Sequence, residues 1–166
     1  MKITVLYFSQ TGNTEKMAGI IRDGIAEFDK DIDVSLMNIA NEENIDKAFL
    51  NDSAAVIFGT PTYVANTCWQ MKWFFDTRFD CKSEGKLAAC FATAGCVWGG
   101  PDIALQSILA MALTHGMLAY SSGTEFGRPY IHLGPIALMG ELEKYTEIFT
   151  LFAKRVAQKT VELFGE

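Results

Sequence analysis

Residues 3–14 read ITVLYFSQTGNT, an apolar run that passes directly into a polar loop. Side chains that are apolar at almost every position suit a strand that helices cover on both faces. Residues 14–28 follow with apolar side chains at helical spacing, such as Met17, Ile21 and Ile25. The stretch therefore predicts a strand, a tight loop and a helix, the opening unit of an alternating α/β chain.

The same alternation continues along the chain. Further apolar runs predict strands at residues 33–37, 54–59, 87–92 and 117–121. Helical spacing predicts helices at residues 70–79, 103–114 and 141–164. Strands and helices that alternate through right-handed crossovers predict a doubly wound α/β fold, a five-stranded parallel sheet with helices on both faces.

Composition narrows the class of protein. The chain has 166 residues, 49% of them hydrophobic, which is enough for one domain spanning residues 1–166 with a core of its own. A net charge of −6 leaves no excess of basic residues, so we expect no nucleic-acid partner. We expect no signal peptide, no membrane span and a cytoplasmic location, because no long apolar run occurs. The four cysteines form no CxxC pair and only two histidines accompany them, so no metal site is expected.

The first polar loop is predicted to bind an anion. It consists of Ser9, Gln10, Thr11, Gly12, Asn13 and Thr14. A loop between a strand and a helix offers free backbone amides and the positive end of the helix dipole. The loop has three hydroxyl groups but no lysine, arginine or cysteine, which separates it from P-loop and phosphatase loops. The alternative is a turn without a ligand, in which Asn13 or Thr14 caps the helix.

Two other loops are predicted to lie beside it. In doubly wound sheets the ligand site lies beyond the carboxyl ends of the strands, where the strand order reverses. That rule selects the loops after the first, third and fourth strands, at residues 9–14, 60–67 and 93–102. All three are poor in charged residues and rich in small or hydroxyl-bearing ones.

The motif SQTGNT after an amino-terminal strand resembles the phosphate loop of the flavodoxin superfamily. The resemblance extends over nearly the whole chain. It implies a flavodoxin-like strand order of 2-1-3-4-5 and FMN as the cofactor.

The second loop carries the most specific motif of the sequence. Residues 59–66, GTPTYVAN, and the following QMK and FFD at 70–72 and 74–76 resemble WrbA-type quinone reductases. The resemblance implies that this loop borders the flavin ring through Pro61, Thr62, Tyr63, Val64, Ala65 and Asn66. Tyr63 is either a ring-stacking residue or a surface aromatic on a rigid loop.

The third loop reads TAGCVWGG and is similar to the S-x-x-G-x-x-x-G-G loop of the same group. The similarity implies flavin contacts from Thr93, Ala94, Gly95, Cys96, Val97, Trp98, Gly99 and Gly100. Trp98 is either a stacking residue or part of the core. Cys96 has no neighbouring group that would activate its thiol, so we expect it to be a small filler, and no catalytic residue is predicted.

Three functions remain open on the sequence alone. They are an FMN-dependent carrier of electrons between protein partners, an NAD(P)H-dependent quinone or flavin reductase, and a flavin-free interaction module on the same fold. WrbA-type enzymes have an arginine where this chain has Tyr63 and a histidine where it has Thr114. These departures favour the carrier. The oligomeric state stays open, with a homodimer as one alternative.

Overall fold

The computed structural model describes residues 1–165 as alternating strands and helices. The strands are β1 (Lys2–Tyr7), β2 (Asp33–Asn38), β3 (Ala55–Tyr63), β4 (Asn66–Thr67), β5 (Leu87–Ala94), β6 (Leu118–Ala119) and β7 (Ile136–Leu138). The helices are α1 (Asn13–Phe28), α2 (Lys47–Asp52), α3 (Trp69–Thr77), α4 (Pro101–Thr114) and α5 (Thr146–Phe164). Helix α2 is the one helix in the described range that the sequence patterns did not predict, because six residues are too few for a periodic stripe.

The sheet confirms the predicted order. Its strands run β2-β1-β3-β5-β6, all parallel, with the short β4 folded back antiparallel onto β3. Helices cover both faces, α1 and α5 on one side and α2, α3 and α4 on the other. Alternate side chains of β1 divide between the two cores, Ile3 and Val5 facing one and Leu6 the other.

The fifth position of the sheet departs from the prediction of one strand at residues 117–121. Two short strands share that position: β6 pairs with Leu87 and Ala88 at the start of β5, and β7 pairs with Ala92–Ala94 at its end. Residues 120–135 leave the sheet between them. The sequence hid this split because three residues of β7 are too few to show the alternation of a strand.

Helix α5 holds the inserted segment of residues 120–135 in place through one buried arginine. The side chain of Arg155 is 6% exposed, and its Nη1 donates hydrogen bonds to Ser122 Oγ and to the Pro129 carbonyl, both at 3.0 Å. The guanidinium also lies 5.4 Å from the ring centroid of Phe126. The inserted segment is therefore bound to the same helix that covers one face of the sheet.

The contact between α1 and α5 is close. A Cβ atom added to Gly24 on α1 would lie 2.9 Å from the Cβ of Ala153 on α5, so a larger residue at position 24 would separate the helices. Phe149 and Phe152 of α5 are fully buried beside this contact. The sequence predicted a helix at residues 141–164, but α5 begins only at Thr146, because residues 142–145 form a 3₁₀ turn ahead of it. Within residues 1–165, none of the helices has the length and apolar character needed to cross a bilayer.

Candidate functional site

The three predicted loops meet at the carboxyl edge of the sheet. A hydrogen bond joins two of them, since the hydroxyl oxygens of Thr14 and Thr93 lie 2.8 Å apart and are buried. Around this bond lies a cavity of about 260 Å³, which we call the loop cavity. Its walls are formed by Ser9, Gln10, Thr11, Asn13, Thr14, Pro61, Thr62, Tyr63, Thr93, Ala94, Gly95 and Met139.

The first loop is fixed from two sides. The Ser9 amide donates to Asn38 Oδ1 at 3.3 Å, and Asn38 Nδ2 donates back to the Ser9 carbonyl at 3.2 Å. Within the loop, the Gly12 amide donates to Ser9 Oγ at 3.2 Å. Asn38 ends β2 at the same edge of the sheet, and its role was not predicted because the predicted strand ended at residue 37.

The start of α1 has the free amides that an anion needs. Gly12 occupies the N-cap position, so no cap side chain accepts a hydrogen bond from the first-turn amides. The assignment of Asn13 or Thr14 as the helix cap is therefore wrong. Both residues lie inside the first turn, and the Asn13 side chain donates to Thr11 Oγ1 at 3.3 Å instead.

The second loop is shorter than predicted because β3 continues through Pro61 and Thr62 to Tyr63. Strands β3 and β4 form a hairpin whose two turn residues, Val64 and Ala65, have φ angles of 49° and 57°. Two positive φ angles in a two-residue turn are typical of the type I′ hairpin. Branched residues such as Val64 rarely adopt a positive φ, yet the hairpin imposes it here.

The Thr60 hydroxyl fixes the base of this hairpin, a role that the sequence did not reveal. Its Oγ1 donates to the Pro61 carbonyl at 2.7 Å and accepts from the Thr67 hydroxyl at 3.0 Å and the Cys68 amide at 3.1 Å. Thr60 is fully buried, so these bonds are made away from water. Asn66, a predicted site residue, lies in β4 and faces solvent beside the hairpin turn.

The third loop begins later than predicted, since Thr93 and Ala94 belong to β5. Val97–Gly99 then form a single 3₁₀ turn, and Trp98 is 91% exposed on it. The interpretation of Trp98 as a core residue is therefore wrong. Gly100 lies at a φ of 78°, where an added Cβ would lie 2.8 Å from the Cβ of Ala65. Glycine at this position lets the second and third loops touch.

A second cavity of about 470 Å³, which we call the outer cavity, lies between these two loops. It shares Thr62, Ala94 and Gly95 with the loop cavity, so the two cavities are adjacent. Its other walls are Val64, Ala65, Cys96, Trp98 and Gly99. Among the described residues, no charged side chain lines either cavity.

Titratable groups near the site favour their neutral forms. Burial raises the pKa of the Tyr63 hydroxyl above its usual value, and the charge of the Cys68 thiolate adds to the shift. Burial also raises the pKa of Tyr7 to about 12, assisted by the charge of Glu15 and by the hydrogen bond to it. Both tyrosines are therefore uncharged at physiological pH.

One unsatisfied group supports the presence of a ligand. Thr62 lines both cavities, and its Oγ1 is buried without a hydrogen-bond partner in the part of the chain that the structure describes. Buried polar groups of proteins normally have partners, so a bound molecule with a polar group near Thr62 would complete the site. Free amides and hydroxyls at one end and apolar or aromatic groups at the other fit the phosphate and the ring of FMN.

Met139 belongs to the site although the sequence did not indicate it. The residue follows β7 and lines the loop cavity, and no motif of its own draws attention to it. A larger groove of about 930 Å³ lies elsewhere, between the carboxyl ends of α3 and α4 around Phe79 and His115. None of the predicted site residues lines that groove, so cavity size and the sequence motifs select different places.

Comparison with known sequences agrees with this geometry. The family model described as Flavodoxin matches residues 5–100. A flavodoxin from Clostridium saccharobutylicum is 43% identical over 164 residues, which cover 99% of this chain and 100% of that protein. A flavodoxin from Aquifex aeolicus is 31% identical over 139 residues, which cover 81% of this chain and 73% of that protein.

Solved structures show the same fold. The flavodoxin, WrbA-like protein from Agrobacterium tumefaciens is 26% identical, with a TM-score of 0.78 and a coverage of 98% of each chain. A flavodoxin from the domain Archaea has a TM-score of 0.76 at 23% identity, covering 96% of this chain and 99% of its own. With the strand order, the three loops and the sequence match in agreement, the chain belongs to the flavodoxin family.

Proposed function

We propose that this chain binds one FMN across the adjacent loop and outer cavities and carries electrons between protein partners. The observation that supports it most directly is the loop cavity itself, lined by hydroxyls and amides at the start of α1 and free of charged side chains. Proteins of the flavodoxin family bind FMN and transfer electrons. The neutral cavity suits a phosphate that is held by hydrogen bonds and the helix dipole rather than by a cation.

Three groups of residues divide the work of binding in this proposal. Ser9–Thr14 hold the phosphate, Pro61–Asn66 border the ring on one side, and Thr93–Gly100 border it on the other. Bound FMN supplies a ring that takes up and releases electrons one at a time. Tyr63 and Trp98 shield the ring from water by their aromatic surfaces, and Thr62 offers its unpartnered hydroxyl.

The exposed rim of the site suits a protein partner. Val64 is fully exposed and Trp98 is 91% exposed at the entrance of the outer cavity. Large apolar side chains in such positions mark contact surfaces. The ring edge in the outer cavity therefore lies where another protein can approach it without entering a deep pocket.

A reductase that uses NAD(P)H and a quinone is the second candidate. The likeness to the WrbA-like protein from Agrobacterium tumefaciens favours it. Against it stand the uncharged walls of both cavities, because a dinucleotide with several negative charges finds no cation there. Tyr63 and Thr114 replace the arginine and histidine of WrbA-type enzymes, so these two positions supply no cation either.

We also place the protein in the cytoplasm. All four cysteines are free thiols, three of them buried and Cys96 exposed, which suits a reducing compartment. The acidic net charge supports a partner other than nucleic acid. The choice between monomer and homodimer remains a matter for a sedimentation measurement.

The test begins with the purified protein and the flavin that heating releases from it. We expect one FMN per chain, and protein that binds no flavin after incubation with FMN would instead be an interaction module. A potentiometric titration should then resolve two one-electron steps. Steady-state oxidation of NADH or NADPH with a benzoquinone should be slow, whereas fast turnover with saturable nicotinamide binding would establish the reductase.

A further inference from the structure

Met139 differs from the other methionines of the chain by its exposure. Of seven methionines, Met17, Met37, Met71 and Met117 are buried and Met111 is partly buried. Met139 is 58% exposed, ahead of the amino-terminal Met1 at 38%. Its thioether is therefore the one that a dissolved oxidant reaches most easily, because access governs the oxidation of methionine.

The backbone holds Met139 at the edge of the cofactor site. The Met139 amide donates to the Ala94 carbonyl at 2.9 Å, which continues the pairing of β7 with β5. The Glu141 amide closes a turn onto the Leu138 carbonyl at 3.1 Å, and Gly140 has a φ of 86° within it. Glycine at the third position with a positive φ is typical of a type II turn, which fixes the residue before it.

The side chain of Met139 lies against the third loop. A Cβ added to Gly95 would have Met139 Cε as its nearest contact, at 3.9 Å. Met139 also lines the loop cavity together with Ser9, Thr11 and Thr14. The wall of the loop cavity consists largely of hydroxyl and amide groups. The Met139 side chain adds an apolar surface to it, and this surface offers no strong hydrogen-bond acceptor.

We propose that Met139 is a site of reversible oxidation by peroxides and that the sulfoxide weakens binding of the cofactor; this second part rests on the proposed function. In the reaction the sulfur takes one oxygen atom from hydrogen peroxide. The O–O bond breaks, an S–O bond forms and water leaves, so the sulfur is oxidised and the peroxide is reduced. The sulfoxide oxygen only accepts hydrogen bonds, and it faces the cavity that we assign to the phosphate. Because the phosphate oxygens also accept hydrogen bonds, the two groups cannot bond to each other.

The experiment treats the protein with dilute hydrogen peroxide, with and without FMN, and follows each methionine by peptide mass spectrometry. We expect Met139 to be oxidised before Met111 and Met1, and bound FMN to slow the reaction at Met139 alone. The Kd for FMN should rise about tenfold after oxidation, the size of one unmatched polar contact. A methionine sulfoxide reductase should restore it.

Two variants make the result specific. Met139→Leu removes the sulfur that peroxide oxidises, so peroxide treatment should leave the Kd of this variant for FMN at its untreated value. In Met111→Leu, peroxide should raise the Kd for FMN as it does in the parent protein. Oxidation of Met111 as fast as Met139, or a sulfoxide at Met139 that leaves the Kd unchanged, would overturn the proposal. Preferential oxidation of Met139 in a protein that never binds FMN would refute the proposed function and the coupling, but would leave the oxidation site established.

Discussion

Thr14 and Thr93 are separated by 79 positions in the sequence, yet their hydroxyl oxygens lie 2.8 Å apart in the buried wall of the loop cavity. The bond joins the first turn of α1 to the carboxyl end of β5. Each hydroxyl is the other's hydrogen-bond partner, and both side chains are at most 4% exposed. The two loops that carry them are therefore fixed relative to each other by a contact that water does not share.

Replacing one member of this pair should lower the free energy of unfolding more than replacing both. Thr93→Val keeps the shape but leaves the Thr14 hydroxyl buried without a partner, and should lower the free energy of unfolding by about 1–3 kcal/mol. The double variant Thr14→Val, Thr93→Val should recover most of that loss. Urea unfolding of the four proteins measures the cycle. Additive losses would show that the hydroxyls do not depend on each other.

Thr11→Ala should weaken FMN much more than riboflavin. The Thr11 hydroxyl lies in the loop that we assign to the phosphate, which only FMN carries. One charge-assisted hydrogen bond corresponds to a rise in the Kd of about tenfold or more. Fluorescence titration of the cofactor-free protein measures both ligands. Thr124→Ala, an exposed change in the inserted segment, should alter neither, and equal losses for both ligands at Thr11 would refute the phosphate assignment.

Trp98→Ala should weaken cofactor binding without lowering the stability of the cofactor-free protein. Because Trp98 is 91% exposed, its removal should change the free energy of unfolding of the cofactor-free protein by no more than about 0.5 kcal/mol. Its contact with the ring should be lost, which lowers FMN affinity and reduces the quenching of flavin fluorescence. Trp69→Ala is the control, since Trp69 is also exposed but lines neither cavity. Unchanged quenching in Trp98→Ala would exclude contact with the ring.

Val64→Gly should stabilise the cofactor-free protein. A branched residue at a φ of 49° is strained, and glycine removes a cost of about 1–3 kcal/mol while adding less than about 1 kcal/mol of chain entropy. The net gain should be visible as a higher urea midpoint. Val97→Gly provides the comparison, because Val97 is also an exposed valine but has no positive φ, and its replacement should not raise the urea midpoint. A loss of stability in Val64→Gly would show that the hairpin turn is not strained.

Alkaline pH should weaken the fold through Tyr7. Its pKa of about 12 in the folded protein exceeds the value of about 10 in an unfolded chain. The stabilisation is therefore complete below pH 10 and is lost as the pH rises toward 12, because the unfolded chain releases its proton first. Urea unfolding at about pH 9 and about pH 11 measures the decline. Tyr7→Phe should decline less, and an equal decline would contradict the assignment.

The sequence predicted the alternation of strands and helices, and the family resemblance implied the strand order, but neither revealed the details that depend on distant pairing. Periodicity located β1, β3 and β5 because their residues are apolar on both faces. It did not reveal that β3 continues beyond Gly59 to Tyr63, since that extension depends on pairing with β5 at Thr60 and Pro61 and with β4 beyond them. Met139 was missed for the same reason: β7 exists because β5 offers it a partner, and no local pattern marks it.

The close packing of Gly24 against Ala153 links the order of synthesis to the competence of the site. Helix α1 and the first loop are synthesised early, but α5, which packs beside α1 on the same face of the sheet, emerges after every other strand and helix described here. Until then the apolar stripe of α1 stays open to water on that side. A nascent chain that lacks α5 therefore holds all three loops, yet it lacks the contact that keeps α1 aligned with them.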